Sequence, residues 1–284
     1  MRHEERALTF PCAGEWLYGV LSMPAQPVAR GVLIVVGGPQ VRTGSHRQFT
    51  LLARSLAEAG IPAMRFDYRG MGDSEGAPRD FEQVQDDLRT AIDCFFEQAP
   101  GLRDVVLWGL CDGASAAALY APGDARVSGL ALLNPWVRTE DGAARATLKH
   151  YYRNRVLDPG LWKKIAAGQF DAKQAAGSFV SLVRSALRRP APAVPQESAA
   201  AAPLPERMHA ALQRFRGKVL VMLSGADLTA QEFAGLPSGS RDWERLLAER
   251  RVTRHTLPAA DHTCSRREWH EQVVDWTASW LREV

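Results

Sequence analysis

Three short segments of the chain are apolar at consecutive positions rather than at alternate ones: Gly31–Val36 (GVLIVV), Asp104–Trp108 (DVVLW) and Lys218–Leu223 (KVLVML). A strand with one wet face alternates apolar and polar residues; a strand covered on both faces has no polar side to show. Helical spacing appears between such runs. Ser45–Ala59 carries Phe49, Leu52, Ala53 and Leu56 on one face, with Ser45 as candidate cap, and Arg267–Arg282 carries Trp269, Val273, Trp276 and Trp280. Further strands are expected at Glu15–Ser22, Pro62–Phe66, Val127–Leu133 and Val252–Leu257, and further helices at Phe81–Phe96, Gly113–Tyr120 and Asp242–Glu249. Buried strands alternating with helices imply an α/β fold, with a mostly parallel central sheet flanked by helices.

The rhythm stops between Pro135 and Arg216. Helices are expected there at Leu148–Leu157, Gly160–Ala167 and Phe179–Leu187, but no strand. Then follows Pro190–Pro205, in which five prolines and six alanines take eleven of the 16 positions, the composition of a flexible linker. The expected organisation is a core over residues 1–135, a helical cap over 136–215 with a flexible Pro/Ala-rich segment at 190–205, and the rest of the core over 216–284.

Gly109-Leu110-Cys111-Asp112-Gly113 joins the strand DVVLW to the helix GASAAALY. A nucleophile on so sharp a turn is exposed and strained, and small residues two before and two after let strand and helix approach. The helix N-terminus favours a thiolate and offers free N–H groups to a developing oxyanion. Serine is the usual residue at the centre; here it is Cys111. The alternative is a structural cysteine between two turn glycines.

Partners are expected in the order acid, then histidine. Asp227 follows the strand KVLVML directly, which brings it to the sheet edge that carries Cys111. Asp242 and Glu232 lie further from that strand end. His262 occupies a loop between the last strand and the last helix, whereas His255 falls within the strand and His270 within the helix. In this reading Asp227 orients His262, His262 takes the thiol proton or pairs with the thiolate, and Cys111 attacks a carbonyl.

Asp67-Tyr68-Arg69-Gly70-Met71-Gly72-Asp73-Ser74-Glu75-Gly76 resembles the D-x-R-G-x-G-x-S-x-G turn that follows the fourth strand in α/β-hydrolases. With Val36-Gly37-Gly38-Pro39-Gln40, the elbow, Asp227 and His262, the resemblance covers the chain outside the insertion. More narrowly, GGPQVRTGSHRQF, FDYRGMGDSEG, GLCDGAS, LNPWVRTE and SGADLTAQEF resemble the type-one hydrolases associated with the exosortase A system. That resemblance implies a bacterial setting of exopolysaccharide and protein-sorting genes, but no substrate.

One departure concerns the oxyanion hole. Where the superfamily reads H-G-x and uses the N–H of x, this chain has Pro39, which carries none. The Asp112 N–H is the expected first donor, and Gly38 or Gln40 the second. The Asp112 carboxylate lies near the developing charge, so it is expected to point away, onto a backbone group or onto Arg42 or Arg47. Arg42, His46, Trp136 and Tyr151 are the candidate substrate-binding residues.

A cysteine nucleophile forms a thioester, so attack on a thioester is a nearly balanced exchange and attack on an activated ester or lactone is also feasible, while an amine leaving group is harder to expel. Transfer of the acyl group to a sugar or other acceptor, and a non-catalytic scaffold or redox sensor pairing Cys111 with Cys264, are the alternatives. The formal charge of +3 hides an uneven distribution: Val137–Arg189 carries +7 and the rest −4. A basic cap suits anionic carriers such as coenzyme A or an acyl carrier protein. No nucleic-acid module is evident. The four cysteines form neither a disulfide framework nor a C-x-x-C zinc pair, and neither cofactor nor metal is expected. The absence of a leader-like or membrane-spanning apolar stretch leads to the expectation of a cytoplasmic protein.

Overall fold

The computed structural model describes residues 3–38, 40–137 and 202–284. Two compact units divide the chain, Met1–Val137 with Pro205–Val284, and Arg138–Leu204. The helices expected at 148–157, 160–167 and 179–187, the basic stretch of the insertion and residues 190–201 of the Pro/Ala-rich segment lie outside the described residues.

Strands β1 (His3–Cys12), β2 (Glu15–Pro24), β3 (Arg30–Val35), β4 (Ala63–Asp67), β5 (Asp104–Leu110), β6 (Val127–Leu133), β7 (Lys218–Ser224) and β8 (Val252–Leu257) form one eight-stranded sheet in the order 1-2-4-3-5-6-7-8. β1 and β2 pair antiparallel, as do β2 and β4; every other pairing is parallel. The two-sided burial expected of GVLIVV is complete, with Val32–Val36 all at 0% exposure. β1 is the strand that periodicity hides. Its first half is charged and open, and only Leu8, Phe10 and Cys12 are buried, so it reads as polar until the Ala13-Gly14 turn folds it onto β2.

The helices are α1 (Gln48–Glu58), α2 (Gln85–Gln98), α3 (Asp112–Tyr120), α4 (Leu204–Arg214), α5 (Leu228–Gly239), α6 (Arg241–Leu247) and α7 (Arg267–Leu281). α1 buries Phe49, Leu52, Ala53 and Leu56, the expected face. Ser45 does not cap it. His46 and Arg47 take positive φ values of 42° and 65°, so the helix begins only at Gln48. α2 likewise starts later than expected, after a 3-10 turn at Phe81–Gln83 whose Glu82 N–H is capped by Asp80. α5 has no clear helical signal in the sequence, because Gly235, Pro237 and Gly239 mask its pattern. α4 buries Met208, Ala211 and Leu212 and, from Pro205 on, belongs with the sheet rather than with the second unit, so the core resumes about ten residues earlier than the sequence boundary at 216.

α3 is the most enclosed helix: Gly113, Ala114, Ser115, Ala116, Ala117 and Ala118 are all buried. Small side chains let it run close beneath the ends of β5 and β6. On the sheet, α1 and α7 meet at Trp108, whose ring stands edge-on to Phe49 with centroids 5.9 Å apart and whose Nε1 donates to Thr277 Oγ1 at 3.3 Å.

The Asp67–Gly76 turn is held by two ionic clamps. Asp67, fully buried, accepts from the backbone N–H and the guanidinium of Arg42. Arg69 grips Asp87 with Nε at 3.0 Å, Nη2 at 2.8 Å and its backbone N–H at 2.8 Å. Asp87 is at 0% exposure, so each charge is compensated by several hydrogen bonds.

Candidate active site

The parallel strands β5, β6, β7 and β8 are neighbours in that order, and their ends are nearly level: Leu110 pairs with Leu133, Leu133 with Met222, and Ser224 with Leu257. The residues that follow these ends therefore gather along one sheet edge, where α/β sheets place their ligand crevices.

Cys111 follows β5 and is the N-cap of α3 at φ 60°, ψ −126°. That conformation is costly for a residue with a Cβ, and surrounding bonds hold it. The Cys111 N–H donates to Leu133 O at 3.0 Å, and its carbonyl accepts from Ala114 N, Ser115 N and Trp136 N. The flanking glycines are required by close approach. A Cβ on Gly109 would lie 2.5 Å from Ala114 N, and one on Gly113 would lie 2.5 Å from Val35 O. Cys111 is partly exposed, whereas Cys12, Cys94 and Cys264 are buried.

His262 lies in the loop after β8. Its Nδ1 is 2.9 Å from Asp227 Oδ2, and the Cys111 thiol is near enough to the ring to act on its protonation. The bond to Asp227, followed by that to Cys111, raises the imidazole pKa from an ordinary 6.5 to about 10 against the opposing effect of burial. Asp227 caps α5: its Oδ2 also accepts from Ala230 N at 2.9 Å. Of the three expected residues, Asp227 and His262 are in direct contact, and Cys111 lies on the same sheet edge. Asp242 instead pairs with exposed Arg245, and His255 stacks on Trp276 with centroids 4.4 Å apart.

The Asp112 carboxylate points onto backbone, one of the expected alternatives. Of the alternatives for the Asp112 carboxylate, pairing with Arg42 is ruled out by the commitment of Arg42 to Asp67 and Asp73. The carboxylate instead caps backbone, accepting from Gly113 N–H at 3.1 Å. Burial raises its pKa, and the backbone N–H groups of Gly38, Gly113 and Asp112 oppose that rise. Gly38 and Gln40 both remain candidates for the second donor. Gln40 Oε1 accepts from Gln48 Nε2 at 3.1 Å and Ser45 N at 3.4 Å, which orients its amide NH₂ away from those partners.

Among the candidate substrate-binding residues, Arg42 serves the Asp67 clamp. His46 Nε2 lies 3.1 Å from Thr263 Oγ1, beside His262. Trp136 bonds the elbow through its backbone: its N–H donates to Cys111 O at 3.2 Å, and its carbonyl accepts from Ser115 Oγ at 2.6 Å. Tyr151 and Pro39 lie outside the described residues. Cys264, the partner in the redox alternative, is buried beside Ser224, and that burial pushes its thiol pKa up to about 11. Sequence reasoning singles out neither Asn134 nor Ser224, although both sit at strand ends in this row; their position directly after or at the end of an apolar run was the available signal.

Among the described residues no group of three or more His, Cys, Asp or Glu is arranged to hold a metal ion, and no helix is long and apolar enough to cross a membrane.

The sequence model of the alpha/beta hydrolase family matches residues 32–276. The fold is shared with the esterase Pf2001 of Pyrococcus furiosus (TM-score 0.66, 13% identity, 99% of this chain and 93% of that one). It is shared also with a thermostable carboxyl esterase of Bacillus coagulans (TM-score 0.65, 15% identity, 99% and 98%). Est1E of Butyrivibrio proteoclasticus, solved with ferulic acid, gives a TM-score of 0.62 at 16% identity over 98% of both chains. A polyketide transferase, grgF of a Penicillium species, is 32% identical over 91 residues, so the match spans 30% of this chain and only 31% of that relative.

Proposed function

The chain belongs to the alpha/beta hydrolase family, and from that membership we propose an acyl-transfer enzyme in which Cys111 is the nucleophile, His262 the acid–base group and Asp227 its orienting partner. The substrate is an acyl thioester or carboxylic ester. The observation that carries this reading is the line from the strained, partly exposed Cys111 through His262 to Asp227, with Asp227 Oδ2 at 2.9 Å from the ring.

The sulfur adds to the substrate carbonyl carbon, and the oxygen takes up the electron pair. The Asp112 N–H and the Gln40 amide are the donors proposed to stabilise that oxyanion. As the tetrahedral centre collapses, the thiolate or alkoxide leaves and receives the proton held on His262 Nε2. What remains is a thioester on Cys111. His262 then takes a proton from water as its oxygen attacks the acyl carbon, releasing the acid and restoring the thiol.

A second reading replaces water with an acceptor hydroxyl or amine. The curated polyketide transferase that matches a third of the chain favours keeping it open. The +7 charge of Val137–Arg189 supports an anionic acyl carrier such as coenzyme A or an acyl carrier protein. The motif resemblance to exosortase-associated hydrolases supports a setting in exopolysaccharide chemistry. A reducing compartment such as the cytoplasm would keep the Cys111 nucleophile a thiol.

The test is a panel of p-nitrophenyl esters and acyl-CoA thioesters on wild type and Cys111→Ala, with intact mass of quenched reactions. An acyl adduct on Cys111 and loss of turnover in the variant support the reading. Equal turnover by both proteins overturns it.

A further inference from the structure

Asn134 stands between the acid and the base of the proposed triad without touching the reacting atoms. It follows β6 at φ 48°, a left-handed conformation that asparagine tolerates better than most residues with a side chain. It is fully buried. Its backbone N–H donates to Met222 O at 2.9 Å, tying the end of β6 to β7. Its Oδ1 accepts from Ser224 N at 2.8 Å, and its Nδ2 donates both to Ser224 Oγ at 3.0 Å and to the carbonyl of His262 at 2.9 Å. The amide orientation is fixed chemically: a backbone N–H can only donate and a backbone carbonyl can only accept.

We infer that Asn134 is a positioning residue that sets the backbone of His262, and through it the imidazole, against Cys111. The inference rests on the proposed roles of Cys111 and His262. Ser224 extends the clamp, since its Oγ lies 3.7 Å from Cys264 Sγ. The loop is thus held at the carbonyl of His262 and again at the side chain of Cys264. Ser224 also starts the turn to Asp227, whose N–H donates to Ser224 O at 3.3 Å. One primary amide therefore references the loops of both the acid and the base to the ends of β6 and β7. A histidine on an unanchored loop would sample positions too far from the sulfur, and misplacement of about 1 Å is enough to lower a rate by up to about 100-fold.

Asn134→Gly removes the amide and relieves the positive φ; Asn134→Asp keeps the shape and the bond to Ser224 N–H but turns a donor toward the His262 carbonyl into an acceptor. In folded variants we expect kcat on a p-nitrophenyl ester to fall about 10-fold to 100-fold with KM little changed. Alkylation of Cys111 by iodoacetamide should slow in parallel, and the His262 ring titration should move toward that of a free imidazole. A folded Asn134→Gly whose His262 titration and Cys111 alkylation match wild type overturns the inference. Wild type supplies a check that no variant's folding affects: the Asn134 side-chain amide resonances should shift as His262 titrates, and resonances blind to that titration overturn the inference too. If Cys111→Ala retains turnover while these NMR signals behave as expected, the nucleophile assignment has failed and the Asn134–His262 coupling has not.

Discussion

The same oxygen of Asp227 that accepts the Ala230 N–H at 2.9 Å lies 2.9 Å from His262 Nδ1. Capping the N-terminus of α5 therefore fixes the carboxylate that orients the ring. The bond to Asp227 in turn holds a proton on His262.

Asp227→Asn preserves the shape and removes the charge. The His262 titration midpoint should fall from about 10 toward 6.5. The alkaline limb of kcat/KM, where the imidazolium proton is lost, should move to lower pH with it, and kcat should fall by roughly 10²–10⁴. Ring-proton NMR and a pH–rate profile read both. A midpoint unmoved by the substitution would show that Asp227 does not govern the ring.

The same shift has a consequence for stability. A pKa raised in the folded state means that the folded protein holds the proton more tightly. The stabilisation is complete below about 6.5 and is lost as pH rises through about 10. Thermal melts between pH 6 and 10 should show wild type losing more stability than Asp227→Asn. Parallel curves would contradict the linkage.

Cys111 is the partly exposed thiol among four, and burial raises the pKa of Cys94 and of Cys264 to about 11 and raises that of Cys12 as well. Iodoacetamide at pH 7 should modify Cys111 well before the others, as read by peptide mass mapping. Slow and equal labelling of all four would favour a scaffold over an enzyme.

Gln40→Ala tests the second oxyanion donor. If the amide NH₂ stabilises the oxyanion, kcat should fall by about 10²–10³ with the thermal midpoint little changed. An unaltered kcat would assign the second donor to backbone.

Asp87→Ala leaves the Arg69 guanidinium buried without its bidentate partner; its side chain is 6% exposed. The expected loss is about 3–5 kcal/mol, read from urea unfolding. A loss below about 1 kcal/mol would mean that Arg69 finds water or another acid, and Asp86 at 3.9 Å is the nearest candidate.

Much of this arrangement is legible along the chain because its signals are local. GVLIVV, DVVLW and KVLVML report burial on two faces without knowledge of their neighbours. The elbow glycines report a close approach within five residues. Other features escape for physical reasons that can be named. β1 buries only alternate residues in its second half, and α5 carries Gly and Pro inside a helix that its Asp227 cap and packing maintain. Ser45 looks like a cap, yet two residues in left-handed conformation separate it from the helix.

From sequence alone follow the class of the fold, the elbow with Cys111 at its centre, and the order in which Asp227 and His262 succeed it. These depend on periodicity and on what directly follows a strand. Tertiary structure alone decides that Asn134 reaches the carbonyl of His262 across 128 residues, and that the Asp112 carboxylate turns onto the Gly113 N–H while Arg42 turns to Asp67. Such contacts are set by which strands lie side by side and how level their ends are. A periodic pattern is the same whichever strand stands next to it, so it carries no record of that choice.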